Sequence, residues 1–231
     1  MPIRILCIES STDVCSVALF TDGELTGIKE ADKINSHAEI LAVLIDQLMQ
    51  ENQIPFSALS AVAVSTGPGS YTSLRVGLST AKGICYAGGL PLIGLPTDQI
   101  LISGHIQRAV AQHCTCIIGM IDARRMEAYT TVYDVKKHTY TESTPTLLDE
   151  NPFTELETNH SRIALCGNGA EKFYQICQKD NYILLEVKTT SRWMGAPAFE
   201  RFTMRSFDDV AYTTPVYIKP PNITESKKKM W

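Results

Sequence analysis

Long apolar runs are missing from this chain: no stretch approaches the roughly 18 consecutive residues that a membrane-spanning helix needs. The start also lacks a basic region followed by an apolar core, so neither a secretory signal nor an anchor is expected there. A cytoplasmic protein with no membrane contact follows. Seven cysteines, an odd number set mostly in apolar segments (Cys7, Cys85, Cys166), fit reduced buried thiols better than a disulfide framework. Cys114 and Cys116 alternate as strand residues do, with no second Cys or His pair at zinc spacing, and no metal site is expected. Basic charge is scarce too. A net charge of −4 excludes a broad nucleic-acid-binding surface, and the one basic run, Lys227-Lys228-Lys229, reads as a solvated tail. No Ser-His-Asp or Cys-His arrangement stands out, so protease chemistry has no support and no catalytic residue is named.

What is present is an ordinary globular composition, 44% hydrophobic and 20% charged, in a chain long enough for one large domain or two small ones. Its centre is Gly67-Pro68-Gly69-Ser70-Tyr71-Thr72-Ser73-Leu74-Arg75-Val76-Gly77, which runs on to Gly83. An apolar strand, Leu59 to Val64, leads into this turn, and a helix leaves it and ends near Gly88-Gly89. Ser70 or Thr72 can cap the helix. Such a turn suits an anion, because free N–H groups and helix dipole point the same way. Gly77 and Gly83 lie inside the helix, each costing about 1 kcal/mol against Ala. With Ser73, Thr80 and Ala81 they suggest close approach of another backbone. A phosphate turn and a docking helix are both open readings.

In chain order, Ile3–Ile8, Val14–Phe20 and Glu24–Lys29 read as a meander of strands, the last two joined by Asp22-Gly23. The first turn, Glu9-Ser10-Ser11-Thr12-Asp13, can offer hydroxyls to a phosphate or satisfy its own backbone. Ser36-His37-Ala38-Glu39 is a capping box opening a helix over 36–51. Its apolar positions are Ile40, Leu41, Val43, Leu44, Ile45, Leu48 and Met49, and the arc from Ile40 through Leu41 and Ile45 to Met49 spans about 200°, twice what one core face needs. Part of it is expected to face a partner, or the helix is buried on two sides. Leu90–Leu95 is a strand and 97–112 a helix. Strands at 115–121, 128–133 and 139–148 follow, then Ile163–Cys166, the turn Gly167-Asn168-Gly169, a helix over 170–178, a strand at 183–187, and helices at 196–203 and 207–211. The second half thus repeats the first, less completely.

Two halves of this kind resemble the actin-like and sugar-kinase-like ATPase fold, an α/β architecture of two related subdomains, each a mixed sheet flanked by helices. Cys7-Ile8-Glu9-Ser10-Ser11-Thr12, Ser36-His37-Ala38-Glu39, the glycine turn with its helix, Ala81-Lys82-Gly83, Asp122-Ala123-Arg124-Arg125 and Pro215-Val216-Tyr217-Ile218-Lys219 look like the bacterial TsaB (YeaZ) family. The resemblance implies a non-catalytic scaffold needed for threonylcarbamoyl transfer to tRNAs reading codons that start with A. In that family the partners are TsaD, the paralogue carrying the active site, and TsaE, a small ATPase. A homodimer forms when the subunit is alone, and tRNA is met only through the complex. TsaD holds a metal through two histidines four apart, and here that place is Leu95-Pro96-Thr97-Asp98-Gln99-Ile100-Leu101, without histidine.

The resemblance and the apolar arc together place the partner interface on His37, Ile40, Leu41, Leu44, Ile45, Leu48, Ser73, Val76, Gly77, Thr80, Ala81 and Ile84. The phosphate turns read as vestigial: Ser10, Ser11, Thr12, Gly67, Gly69, Ser70, Tyr71, Thr72, Gly167, Asn168 and Gly169. Asn168 stands where relatives of this fold carry a magnesium-holding Asp. No cofactor of the chain's own is expected, and ATP or ADP with magnesium only at a complex interface. The expected organisation is an N-terminal subdomain over 1–100, a shortened second one over 101–214, and a C-terminal segment over 215–231. The alternative is a stand-alone ATP-binding phosphotransferase of the sugar-kinase type, gripping phosphate with the two N-terminal turns.

Overall fold

The computed structural model describes residues 1–32, 37–149, 152–177, 179–185 and 188–219. Ser36 of the capping box and the Lys227-Lys228-Lys229 tail lie outside the described residues.

Alternation builds the first sheet. In β1 (Arg4–Glu9) Ile5 and Cys7 face one layer and Leu6 and Ile8 the other, all fully buried, so the strand is covered on both faces. β2 (Val14–Thr21) returns antiparallel to it and β3 (Glu24–Asp32) continues the meander. Asp22 and Gly23 both take positive φ (51° and 87°), as the tight hairpin requires. Helix α1 (His37–Glu51) leads to β4 (Ala61–Gly67), and α2 (Tyr71–Gly88) to β5 (Leu92–Pro96), both strands parallel to β1. The order is β3-β2-β1-β4-β5. At the end of α2 Gly89 turns left-handed and its N–H returns to the carbonyl of Cys85, closing the helix.

α3 (Thr97–Ser103) and α4 (Ile106–Ala111) connect to the second unit. It holds β6 (Cys116–Asp122), β7 (Glu127–Asp134), β8 (Thr139–Tyr140), β9 (Thr144–Leu147), α5 (Thr154–Asn159), β10 (Ile163–Cys166), α6 (Ala170–Cys177) and β11 (Tyr182–Leu184). Its order is β11-β10-β6-β7-β8, with β9 also on β7. β6 and β7 are antiparallel and β10 joins β6 in parallel, so β6, β7 and β10 repeat β1, β2 and β4. The internal repeat expected from the sequence is therefore present, and the fold class is the α/β one of two mixed sheets flanked by helices.

Three local expectations are corrected. The single helix over 97–112 is interrupted at Gly104-His105, where Trp193 packs in the space a side chain on Gly104 would take. There the buried His105 donates from Nδ1 to the Leu101 carbonyl (2.7 Å). The strand over 139–148 divides into β8 and β9. No helix forms over 207–211. Asp208 instead bridges the edge strand β5: its N–H donates to Leu92 (2.9 Å), while its carboxylate accepts from the Gly94 N–H (2.7 Å) and pairs with Arg201 (3.1 Å).

After β11 the chain returns to the first sheet. A 3-10 turn (Ser191–Met194) and α7 (Gly195–Thr203) bring Met194 and Ala198 against Ile5, Cys7 and Ala63, opposite the face covered by α1 and α2. α3 serves both cores, with Ile100 in the first and Leu101 and Ile102 in the second.

Candidate functional site

The carboxyl ends of β1 and β4 face those of β6 and β10 across a cleft of about 480 Å³. Ser11, Thr12, Gly69, Ser70, Tyr71, Thr72 and Asn168 line it, so the structure brings most of the expected phosphate-turn residues together. Several polar groups at these turns, however, are already hydrogen-bonded within the chain. Ser11 donates from both N–H and hydroxyl to the Glu9 carboxylate. Ser10 donates its hydroxyl to the Ser73 carbonyl (2.9 Å) and its N–H to the Ser65 hydroxyl oxygen (3.3 Å). The Ser70 N–H, at the mouth of the glycine turn, is taken by the Ser11 carbonyl (2.7 Å). The expected side-chain cap is also absent: Ser70 makes no cap hydrogen bond and instead accepts from the Ser73 hydroxyl (3.0 Å).

The glycines have intrachain reasons. Gly67 has φ +113°, and a Cβ there would lie 2.7 Å from the Val216 carbonyl oxygen. A Cβ on Gly69 would meet the Ser11 carbonyl, and one on Gly77 the Ser10 hydroxyl. At Gly77 the close approach is made by the turn between β1 and β2, through Ser10, whereas nothing in the chain approaches Gly83.

The second unit's turn is similarly committed. Gly167, with φ +102°, leaves no room for a Cβ beside the Met120 carbonyl, and the Gly169 N–H donates to that carbonyl (2.9 Å). Asn168 accepts the Asp122 N–H (2.8 Å). Asp122 in turn accepts the Arg124 N–H (2.9 Å), and Arg124 and Arg125 both take positive φ (69° and 51°). Lys172 braces this turn by donating to Asp122 and to the carbonyls of Arg125 and Glu127.

Beneath the cleft Glu9 is fully buried. Desolvation raises its carboxyl to about 7 against the smaller opposing effect of hydrogen bonds from Ser11 and Ser65, and its Oε2 has no partner. Burial likewise raises the thiols of Cys15 and Cys85 to about 11 and of Cys116 to about 12. All seven cysteines are free.

The second candidate surface is the outer face of α1 and α2. Leu41, Leu44, Ile45, Leu48 and Ala81 belong to the first core, Gly77 is buried against Ser10, and His37 makes a long contact with the buried Ser73 (3.4 Å). Ile40, Val76, Thr80 and Ile84 are half-buried. Val43, absent from the expected set, is 49% exposed, and Gly83 has nothing within 4 Å of a Cβ. The wide arc of α1 is therefore mostly buried by β2, β3 and α2 on two sides, which leaves a narrow outer stripe.

Pro215–Lys219, Glu9, Arg75 and Lys172 make contacts at this site that no local sequence pattern announces. A lone acid closing an apolar strand, Glu9, was the one available signal of burial.

The sequence model of the TsaD family, described as tRNA N6-adenosine threonylcarbamoyltransferase, matches residues 25–191. The tRNA threonylcarbamoyladenosine biosynthesis protein TsaB of Escherichia coli is 31% identical over 130 residues, 56% of this chain and 54% of that protein. Its counterpart in Buchnera aphidicola is 28% identical over 190 residues, 78% of this chain and 83% of that protein. The chain belongs to the TsaD family, on its TsaB (YeaZ) branch. A solved structure of YeaZ from Pseudomonas aeruginosa superposes with a TM-score of 0.77 at 20% identity, over 93% of this chain and 99% of that one, and shares the fold of this TsaB-family chain. The chain spans about half the length of curated relatives such as the Escherichia coli and Haemophilus influenzae TsaB proteins. Among the described residues no helix is long and apolar enough to cross a membrane.

Proposed function

We propose that this chain is a non-catalytic subunit in the synthesis of threonylcarbamoyladenosine on tRNA, working in the cytoplasm by docking on TsaD, with TsaE joining the pair. The observation that carries the reading is the state of the cleft. The N–H of Ser70 and the N–H and hydroxyl donors of Ser10 and Ser11, which a phosphate would need, are already hydrogen-bonded within the chain. A nucleotide of its own would have to displace those bonds, so ATP or ADP with magnesium belongs at an interface with a partner. The stand-alone phosphotransferase reading loses its phosphate grip for the same reason.

The stripe of Ile40, Val43, Val76, Thr80, Gly83 and Ile84 supports docking. It is apolar or small, it runs along two adjacent helices, and helices packed side by side need small residues where their backbones approach. The same stripe serves a homodimer when the chain is alone, and tRNA is contacted through the assembled complex.

The test is co-purification with TsaD. Val43→Arg and Gly83→Trp, both on free surface, should weaken binding by about 100-fold or more while leaving the fold intact, since charge or bulk in a desolvated contact costs several kcal/mol. Undiminished binding by both variants would remove the stripe as the interface. Calorimetric titration with ATP and magnesium separates the alternative: turnover by the isolated chain would overturn the scaffold reading.

A further inference from the structure

The segment after α7 follows the first sheet's edge through Asp208, then crosses the carboxyl end of β4 and reaches the second unit. Val216 donates its N–H to the Thr66 carbonyl (2.8 Å), and the missing side chain of Gly67 is what lets it approach. The Tyr217 ring lies 4.8 Å from that of Tyr71, and its hydroxyl accepts from Arg75 Nε (3.0 Å). The Arg75 guanidinium itself sits 4.1 Å over the Tyr71 ring. Two residues on, Lys219 pairs with Glu127 at the start of β7 (2.5 Å). Residues 216 to 219 also form one wall of the cleft.

We propose that residues 215–219 are a clasp that holds the two units closed over the cleft, so that release at either end loosens the other. An exposed ion pair such as Lys219–Glu127 contributes little alone. Here it sits in series with a backbone hydrogen bond and a ring stack on a five-residue segment, so each link raises the effective concentration of the next. The clasp also gives Gly67, Tyr71, Arg75 and the Pro215–Lys219 motif one shared purpose that a phosphate turn does not supply.

The test cuts one end and reads the other by hydrogen exchange on the full chain. Tyr217→Ala acts on the first unit, and exchange is read at the hydrogen-bonded amides of residues 122–127 in the second. Glu127→Gln acts on the second unit, and exchange is read at the Val216 amide on the first. Both should exchange about fivefold faster or more, while amides of β1 and β10 keep their wild-type rates. Acceleration confined to the mutated unit in either experiment overturns the clasp. Should Tyr217→Ala also loosen β1, Tyr217→Phe decides instead. It keeps the ring and removes the acceptor for Arg75, and unchanged rates at residues 122–127 then overturn the proposal.

Discussion

Glu9 is the residue whose chemistry departs furthest from its ordinary value among the carboxylates described. Its raised pKa has a direct consequence for stability. A carboxyl near 4.5 in the unfolded chain and near 7 in the folded one binds more protons when folded between those values. The stability it contributes is thus complete below 4.5 and is lost as pH rises to about 7, at roughly 1.4 kcal/mol per pH unit. Glu9→Gln carries no charge to desolvate and can keep an oxygen for Ser11. At about pH 8 the variant should be more stable than the parent by about 3 kcal/mol, and the two should converge below about pH 4.5. Urea titrations at the two pH values measure this; equal midpoints at the higher pH would mean that the carboxylate is charged at no cost.

At the scale of elements, α2 shows what composition can and cannot say. Its small residues were legible as a sign of close approach, but the sequence could not tell which neighbour approaches. That depends on the β1–β4 pairing, which sets Ser10 against Gly77 from sixty-odd residues away. The strand meander, the Asp22-Gly23 hairpin and both helix-opening turns were readable because period and turn chemistry are local. The partition of α1 into buried and outer residues was not, since it follows from β3 and α2 covering two sides. The helix expected over 207–211 failed for a related reason, because the amide of Gly94 and the guanidinium of Arg201 claim Asp208 only after folding. The two glycines of α2 should therefore respond oppositely. Gly83→Ala meets nothing and gains helix propensity, raising stability by about 1 kcal/mol, whereas Gly77→Ala drives a methyl into the Ser10 hydroxyl and should lower it by about 1–2 kcal/mol. Thermal midpoints of the pair check this, and a shared sign would contradict the placement of Ser10.

The whole molecule is two similar units, yet the chain does not divide cleanly between them. It leaves the first sheet through α3, whose Ile100 and Leu101 enter different cores, and Asp98 at the start of α3 accepts from Thr131 on β7 (2.5 Å). It returns through the Ser191–Met194 turn, where the buried Ser191 N–H donates to Ser16 on β2 (2.8 Å), and it crosses once more in the clasp. Each crossing makes one unit's packing depend on the other's. A pair of units joined by one flexible linker would unfold in two steps, because nothing would transmit the loss of one core to the other. Here α3 cannot leave the second core without exposing Ile100 in the first. Calorimetry should accordingly show a single transition, with van't Hoff and calorimetric enthalpies in a ratio near one. The two changes Tyr217→Ala and Lys219→Ala should lower its midpoint without splitting it, because α3 still spans both cores. Two resolved transitions in the parent protein would mean that the crossings bind the units too weakly to couple them, and the fold would then behave as two independent domains.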